Sequence, residues 1–398
     1  RSTNGSLAQV DVAAVDELAI TFDYPRRDWI ARAGTVDTAL TAAGFERLPA
    51  LLGDLECRAG TRCTMQATVD AKDVQWNDYD FGTVELFLPI SVDLDETTKM
   101  NIARSATGTL TGVRTPIFAA ESVGIHSFSG TDVLVDMNAW RCLIDELQLD
   151  VGGFAAGDKL SASFPITFSM LDIRDSAATV ETRLAVPPGA KTAWGDTALS
   201  MPGADGTASI NNEKFTSSLQ LQDAEGAVSA DVDVAFDFAT GSGSLAVGDA
   251  LVAFDRANLS ALVPGWSYPL DIVHGELSFD LDIDWRAEDA ANRYSGTVTS
   301  DLDSLAGRYD DIGFVGLSTS ISANLDPAGG VDVAPSALAV RLIDIGLPVE
   351  HVAADFTIDL GNDAVQVDEL SAEILGGALV ADPFRYDMAT DQNVILLN

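Results

Sequence analysis

Apolar and polar residues alternate at every second position along most of this chain. Residues 275–285 read GELSFDLDIDW, and the apolar residues there occupy alternate positions: Leu277, Phe279, Leu281, Ile283 and Trp285. Successive side chains leave a β-strand on opposite faces, so a period of two predicts strands with one apolar and one acidic face. The pattern recurs from Met65 to the last residues and predicts a mainly β fold.

Short turn signals separate the alternating runs. They read AEG, GSG, PAGG and GND, and segments of this length join antiparallel strands rather than parallel ones. The alternation changes phase at Val315 and Gly316, which predicts a β-bulge at that point. The sequence therefore predicts antiparallel hairpins and meanders.

Two segments have a spacing more typical of helices. In residues 25–55, apolar residues recur at helix-like intervals, while Gly34, Gly44 and Pro49 divide the segment. We expect a short helical insertion or cap there, and a second short helix over 138–147. Both would lie near the N-terminal part of the sheet.

The chain is strongly acidic but is also rich in hydrophobic residues. Lys and Arg number 23 against 61 Asp and Glu, the formal net charge is -38 at pH 7, and 47% of residues are hydrophobic. This hydrophobic content predicts a folded chain in spite of the charge. A polyanion repels phosphate groups, so nucleic acid is not expected as a partner.

Candidate chemistry is sparse. Cys57 and Cys63 are close enough in sequence to form a disulfide, with two reduced cysteines as the alternative. The three histidines are not spaced as a catalytic or metal-binding pair, and the aspartates of DVDVAFD and DLDID alternate along strands instead of enclosing an ion in a loop. We therefore expect no catalytic residues, no metal site, no cofactor and no enzymatic activity.

Four segments carry a family resemblance. They read VPGWSYPLDIVHGELSFDLDIDW (263–285), LAGRYDDIGFVGLSTSISANL (305–325), DIGLPVEHVAADFTI (344–358) and ELSAEILGGALVADPFRYD (369–387). Their order, and the elements Pro-Leu-Asp at 269–271, Gly-Leu-Pro at 346–348 and Leu-Gly-Gly at 375–377, resemble the YdbH family of AsmA-like, TamB-related bacterial proteins. The resemblance covers residues 200–398.

The resemblance implies both a fold and a function. The fold would be an elongated, twisted antiparallel β-sheet curled into an open groove, with residues 1–398 forming one continuous piece. The function would be periplasmic lipid transfer, in which the groove shields phospholipid acyl chains between the inner and outer membranes. It also implies an N-terminal inner-membrane anchor and a small outer-membrane lipoprotein (YnbE-like) at the C-terminal end. The sequence starts RSTNGS, so we expect a soluble fragment without that anchor.

The apolar positions of the strands are the expected groove lining. The set is Phe164, Phe168, Phe236, Phe238, Leu277, Phe279, Leu281, Ile283, Phe314, Ile321, Leu338, Val340, Leu342, Phe356 and Ile358. A structural or adhesive β-sandwich with no lipid cargo is the alternative, in which the same residues form an ordinary core. A carbohydrate-active enzyme is the third possibility, and the scattered tryptophans disfavour it.

Overall fold

A computed structural model provides the structure of the chain. It describes residues 8–16, 19–23, 28–42, 48–58, 61–76, 79–94, 98–103, 105–115, 118–129, 131–136, 139–156, 160–174, 179–195, 197–211, 213–288, 291–326, 330–360 and 364–387. Most of these residues lie in strands, which confirms the mainly β fold class.

The first sixteen strands precede residue 212. They are β1 (Ala8–Asp16), β2 (Ala19–Asp23), β3 (Asp28–Ala42), β4 (Leu48–Arg58), β5 (Arg62–Trp76), β6 (Tyr79–Leu94), β7 (Thr98–Ile102), β8 (Thr107–Arg114), β9 (Ala119–Ser129), β10 (Thr131–Asp136), β11 (Ala139–Ala156), β12 (Leu160–Arg174), β13 (Thr179–Val186), β14 (Ala190–Trp194), β15 (Thr197–Met201) and β16 (Gly203–Asn211).

The remaining elements follow from residue 214. They are β17 (Lys214–Gln222), β18 (Val228–Asp237), β19 (Ser242–Ala253), α1 (Leu259–Leu262), β20 (Leu270–Glu288), β21 (Ala291–Tyr309), β22 (Ile312–Leu325), β23 (Val331–Val333), β24 (Ser336–Asp344), β25 (Pro348–Asp359), β26 (Ala364–Ile374), β27 (Gly377–Ala381) and β28 (Phe384–Asp387).

The chain divides into two compact units. Unit 1 comprises residues 1–195 and 207–212, and unit 2 comprises residues 196–206 and 213–398. In unit 1, β3 pairs with β1 and β2 on one side and with β4 on the other, and β5 and β6 follow in sequence order. Further along, β11 lies between β12 and the pair β9 and β10. All of these pairings are antiparallel.

Unit 2 is a meander. β17 to β22 each pair antiparallel with the next strand, and the series continues through β24, β25 and β26. The short strands β27 and β28 both pair with β26. Among the residues described, no pairing joins β17 to β26, β27 or β28, so the sheet of unit 2 is open.

The bulge that the sequence predicts near Val315 is confirmed. Leu305 lies opposite Leu317 while Ala306 lies opposite Val315, so Gly316 is the extra residue on β22. Gly316 has φ of +70°, a conformation in which a Cβ would be strained. Glycine at this position allows the strand to change phase without strain.

The helices expected over 25–55 and 138–147 are not present in the described residues of those segments. The first forms β3 and β4, and the second forms the start of β11. β4 has a register shift between Gly53 and Glu56, with φ of +48° at Asp54. This bulge interrupts the period of two between Leu52 and Leu55. Strands on both sides also satisfy the backbone of β3 and β11, whereas short isolated helices are marginal in water.

The fully buried core is small in both units. In unit 1 it centres on Val69, Ala71, Val74 and Val84. In unit 2 it centres on Val340, Val352 and Ala372. Among the strand residues whose burial the structure describes, most other apolar side chains are only half-buried or exposed.

Candidate functional site

The strand register of unit 2 places its apolar residues on one face. Residues directly opposite each other on antiparallel strands share a face. Leu281 of β20 lies opposite Val247 of β19 and Val298 of β21. Phe279, two residues earlier, lies opposite Ala250 and Ser300. We call this surface the apolar face of unit 2.

The same face continues across the following strands. Ile321 of β22 lies opposite Ser300 of β21, and Ser300 also lies opposite Phe279 of β20 on its other side. Further along, Leu338 lies opposite Ala354. The remaining pairs on this face are Leu277 with Leu302, Ile283 with Leu245, Val340 with Val352, Phe356 with Val367, and Ile358 with Val365.

A buried cluster on this face centres on Val340. Phe314, Leu338 and Ile343 pack against it. Leu342 is not one of the cluster's members, because the register places it opposite Glu350, whereas Ile343 lies opposite Val349. The structure thus separates Leu342 from the other residues expected on β24.

Aromatic side chains mark another part of the face. Phe236 lies opposite Phe215 and its ring is stacked on Trp285, with centroids 6.3 Å apart. Phe238 follows the end of β18 and makes an edge contact with Phe236 at 5.0 Å. Phe238 is 46% exposed, so this aromatic group is open to solvent on one side.

Most of the fifteen predicted groove residues have a similar exposure to solvent. Val340 is buried and Phe238 is exposed, and the other thirteen are half-buried. An ordinary core of this size would bury Phe, Leu and Ile almost completely. The apolar face therefore lacks a complete covering layer within the described residues.

The opposite face of β20 in unit 2 is acidic and exposed. Asp280, Asp282 and Asp284 of β20 are all exposed. They lie opposite Thr299, Thr297 and Ser295 of β21, and Asp280 accepts a hydrogen bond from the backbone N–H of Asp249 at 3.2 Å. These carboxylates are distributed along one strand and do not converge on a common point.

In unit 1, the two expected groove residues lie on β12. Phe164 is opposite Val151 and contacts Phe154 edge to face, with centroids 5.9 Å apart. Phe168 is opposite Leu147 on β11 and Leu184 on β13. Both phenylalanines are half-buried, as are their counterparts in unit 2.

A buried carboxylate of unit 1 escaped the sequence analysis. Asp172 is 8% exposed and accepts hydrogen bonds from Arg141 Nε at 2.8 Å and Arg141 Nη2 at 2.7 Å. Arg174 Nε donates to it as well, at 2.9 Å. The hydrogen bonds from Arg141 and then Arg174 lower the pKa of Asp172 well below its usual range. This group stabilises the junction of β11 and β12.

The two cysteines expected to pair do so in the structure. Cys57 on β4 and Cys63 on β5 are directly opposite in register and form a disulfide. Their Cα atoms are 4.1 Å apart. The bond joins two adjacent strands across a tight hairpin.

Each histidine lies beside an exposed carboxylate. His126 Nε2 is 2.5 Å from Asp150 Oδ2, and His274 Nδ1 is 2.5 Å from Asp255 Oδ1. His351 is brought close to Glu350 and Glu373, with one potential ligand atom from each within 4.8 Å of the others. All three residues of this last group are exposed. Exposed acidic residues often lie close together without binding a metal ion, so their proximity alone does not indicate a metal site.

A cavity of about 630 Å³ occupies one end of the strands of unit 2. Trp266, Tyr268 and Phe314 are among its lining residues. These residues lie in separate segments of the sequence, and the alternation pattern does not indicate that they meet. Their proximity depends on the register of β20, β21 and β22.

A protein-family model matches the C-terminal part of the chain. The family model described as YdbH-like, intermembrane phospholipid transport protein YdbH, matches residues 146–398. No curated protein and no solved structure matches the chain. In the part of the chain that the structure describes, no helix is both long and apolar enough to span a bilayer.

Proposed function

The chain belongs to the YdbH-like family of intermembrane phospholipid transport proteins, and we propose that its apolar sheet face shields acyl chains during that transport. The family match supports phospholipid as the cargo and transport between membranes as the process.

The half-buried apolar face of unit 2 is the main support for the proposal. Phe279, Leu281 and Ile321 remain accessible although they lie in the middle of long strands. Covering such a surface is favourable, because each methylene removed from water contributes about 0.8 kcal/mol. An acyl chain with about ten methylenes in contact would therefore gain roughly 8 kcal/mol before the cost of ordering it.

Acyl chains suit this surface because they require no directional partner. The apolar face offers side chains of Phe, Leu, Ile and Val, whose attraction is nondirectional. The acidic face would keep the unit soluble and discourage association between molecules. A transporter of this kind needs no catalytic group.

We extend the proposal to the setting that the family resemblance implies. The chain would act in the periplasm. In the full-length protein, an N-terminal segment would anchor it to the inner membrane. A small outer-membrane lipoprotein would bind at the C-terminal end.

Mass spectrometry of gently purified protein tests the proposal. The chain is purified without harsh detergent, and bound lipids are extracted and quantified per protein molecule. We expect phospholipid in a reproducible ratio. Protein that is folded by circular dichroism but carries no phospholipid in any preparation would instead support a structural β-protein without lipid cargo.

A further inference from the structure

The cavity at the end of the unit 2 strands combines aromatic, apolar and charged residues. It lies where the segment after α1 meets the start of β20, the end of β21 and the start of β22. Its volume of about 630 Å³ is within the range of small-molecule sites. The lining residues relevant here are Trp266, Tyr268, Asp271, Arg308, Asp310 and Phe314.

Hydrogen bonds and ring contacts hold the aromatic wall. Trp266 Nε1 donates to the carbonyl oxygen of Leu270 at 2.6 Å, and its backbone N–H donates to Val263 at 2.8 Å. The rings of Trp266 and Tyr268 are 6.1 Å apart, and those of Tyr268 and Tyr309 are 5.8 Å apart. The two tyrosine hydroxyls are 3.4 Å apart. The wall is therefore formed before any ligand arrives.

Phe314 connects the cavity to the apolar face. It lines the cavity and also packs against the buried cluster around Val340. Gly307 lies directly opposite Phe314, and a Cβ at Gly307 would come within 3.0 Å of the Phe314 ring and 2.2 Å of the Asp271 carbonyl oxygen. Glycine thus leaves room for Phe314 to extend from the cavity to the cluster.

The charges around the cavity are of both signs. Arg308 is exposed, donates through Nε to the carbonyl oxygen of Asp310 at 2.9 Å, and has Nη2 3.7 Å from Asp311. A guanidinium has five N–H donors, so these contacts leave donors for an anion. Asp271 and Asp310 are the two acidic residues of the lining. Asp271 already accepts hydrogen bonds from the Ser260 backbone N–H at 3.2 Å and from Asn258 Nδ2 at 3.5 Å, so Asp310 is the carboxylate proposed to meet a ligand. The faces of the Trp266 and Tyr268 rings can attract a cation.

We propose that this cavity binds the headgroup of a zwitterionic phospholipid whose acyl chains continue over Phe314 onto the apolar face. Arg308 binds the phosphate, and Asp310 with the Trp266 and Tyr268 rings binds the ammonium. A headgroup that has a phosphate but no ammonium is repelled by the carboxylates of Asp271 and Asp310 and attracted only by the guanidinium of Arg308. We therefore expect it to bind less tightly. The inference rests on the proposed function and adds a headgroup preference to it.

Titration with two short-chain lipids tests the inference. Dihexanoylphosphatidylethanolamine and dihexanoylphosphatidylglycerol have the same acyl chains and differ in the ammonium. Calorimetry on the purified chain should give about tenfold tighter binding of the ethanolamine lipid, as expected for one charge-assisted contact. The chain's overall charge of -38 also disfavours the anionic lipid, so the decisive comparison is between variants.

Two variants each have a matched control. Asp310→Asn should reduce the preference several-fold, while Asp332→Asn, an exposed acid at the other end of the strands, should not. Arg308→Gln should weaken both lipids about tenfold, while the exposed Arg341→Gln should weaken neither. Circular dichroism confirms that each variant is folded.

The outcomes separate the inference from the proposed function. If the chain retains long-chain phospholipid but the cavity variants match their controls, the headgroup site is wrong and the proposed function stands. If the chain binds neither short-chain nor long-chain phospholipid, the proposed function fails and the headgroup site fails with it.

Discussion

The two faces of the unit 2 sheet differ in what their side chains need from their surroundings. On the acidic face, Asp280, Asp282 and Asp284 are exposed, so water can reach their carboxylates. On the apolar face, Phe279 and Leu281 alternate with them yet are only half-buried. Adjacent residues of one strand therefore favour opposite surroundings, water for the carboxylates and an apolar partner for Phe279 and Leu281. Covering the apolar face with such a partner lowers the free energy, whereas covering the acidic face does not.

A buried carboxylate in unit 1 has more charged partners than the exposed carboxylates of unit 2. Asp172 is 8% exposed and is held by two arginines, whereas Asp280 receives a backbone N–H from Asp249 and remains exposed. Burial makes a charged group costly unless it is paired. We therefore expect acids of the two kinds to respond differently to substitution.

The largest effect should come from placing a charge on the apolar face. Phe279→Asp and Ile321→Asp should each reduce bound phospholipid about tenfold or more, because a charge against acyl chains is poorly solvated. Lipid per protein is measured by mass spectrometry after gentle purification.

The neighbouring residues provide the control. Ser278→Asp and Ser320→Asp introduce the same charge on the other face of the same strands, and should leave bound lipid unchanged. Equal loss of lipid in both pairs would show that the faces do not differ. Global unfolding of the first pair alone would indicate a packed core.

The next effect concerns the buried acid. Asp172→Asn should lower the free energy of unfolding by about 2 kcal/mol, less than for a fully buried ion pair because the arginines are partly exposed. Chemical denaturation measures the change. Asp150→Asn, in the exposed pair with His126, should cost much less.

The pH dependence of the same group has a defined sign. The pKa of Asp172 is lowered in the folded state by Arg141 and Arg174, so its stabilisation is fully present above the unfolded-state pKa of about 3.9. It is lost as the pH falls through the folded-state pKa. The stability difference between the parent chain and Asp172→Asn should be constant from pH 7 to pH 5 and shrink below pH 4; a difference that grows with acid would contradict the assignment.

A smaller effect distinguishes the buried cluster from the open part of the apolar face. Val340→Ala should destabilise unit 2 by about 1 to 2 kcal/mol, because it removes methyl groups from a fully packed site. Val298→Ala, the same substitution at a position of the apolar face that is 37% exposed, should cost less than half as much. Denaturant titration followed by circular dichroism compares them, and equal costs would show that Val298 lies in a packed core.

The smallest effect is expected on the acidic face. Replacing Asp280, Asp282 and Asp284 together by Asn should change stability by less than about 0.5 kcal/mol and leave bound lipid unchanged. Thermal unfolding and lipid analysis check both. A marked loss of either would assign these residues a role that hydration alone does not explain.

The alternation of residues predicted most of the strands and the antiparallel pairing of the sheet, but not β3, β4 or the start of β11. It also predicted the bulge at Gly316, because the phase change there is visible in the sequence. The bulge at Asp54 was harder to recognise, since it gives leucines a spacing that a helix would also give. A period of two describes regular strands, and each bulge shifts the phase of the alternation by one residue.

The candidate site was predictable only in part. The register places most of the expected residues of unit 2 on one face, but Ile343 rather than Leu342 packs in the cluster on β24. His351 on the neighbouring strand has φ of +51°, and the alternation of β25 is irregular there. The pairing of Asp172 with Arg141 and the cavity at Trp266 depend on contacts between strands, which one-dimensional spacing does not reveal.

Site-specific photo-crosslinking in cells tests the central claim most directly. A benzophenone side chain is placed at Phe279 or Ile321, and at Ser278 or Ser320 as controls, and adducts are identified by mass spectrometry. Phospholipid adducts are expected at 279 and 321, with few or none at 278 and 320. Equal adducts on both faces, or none at 279 and 321 in folded protein, would contradict the claim that the apolar face holds phospholipid.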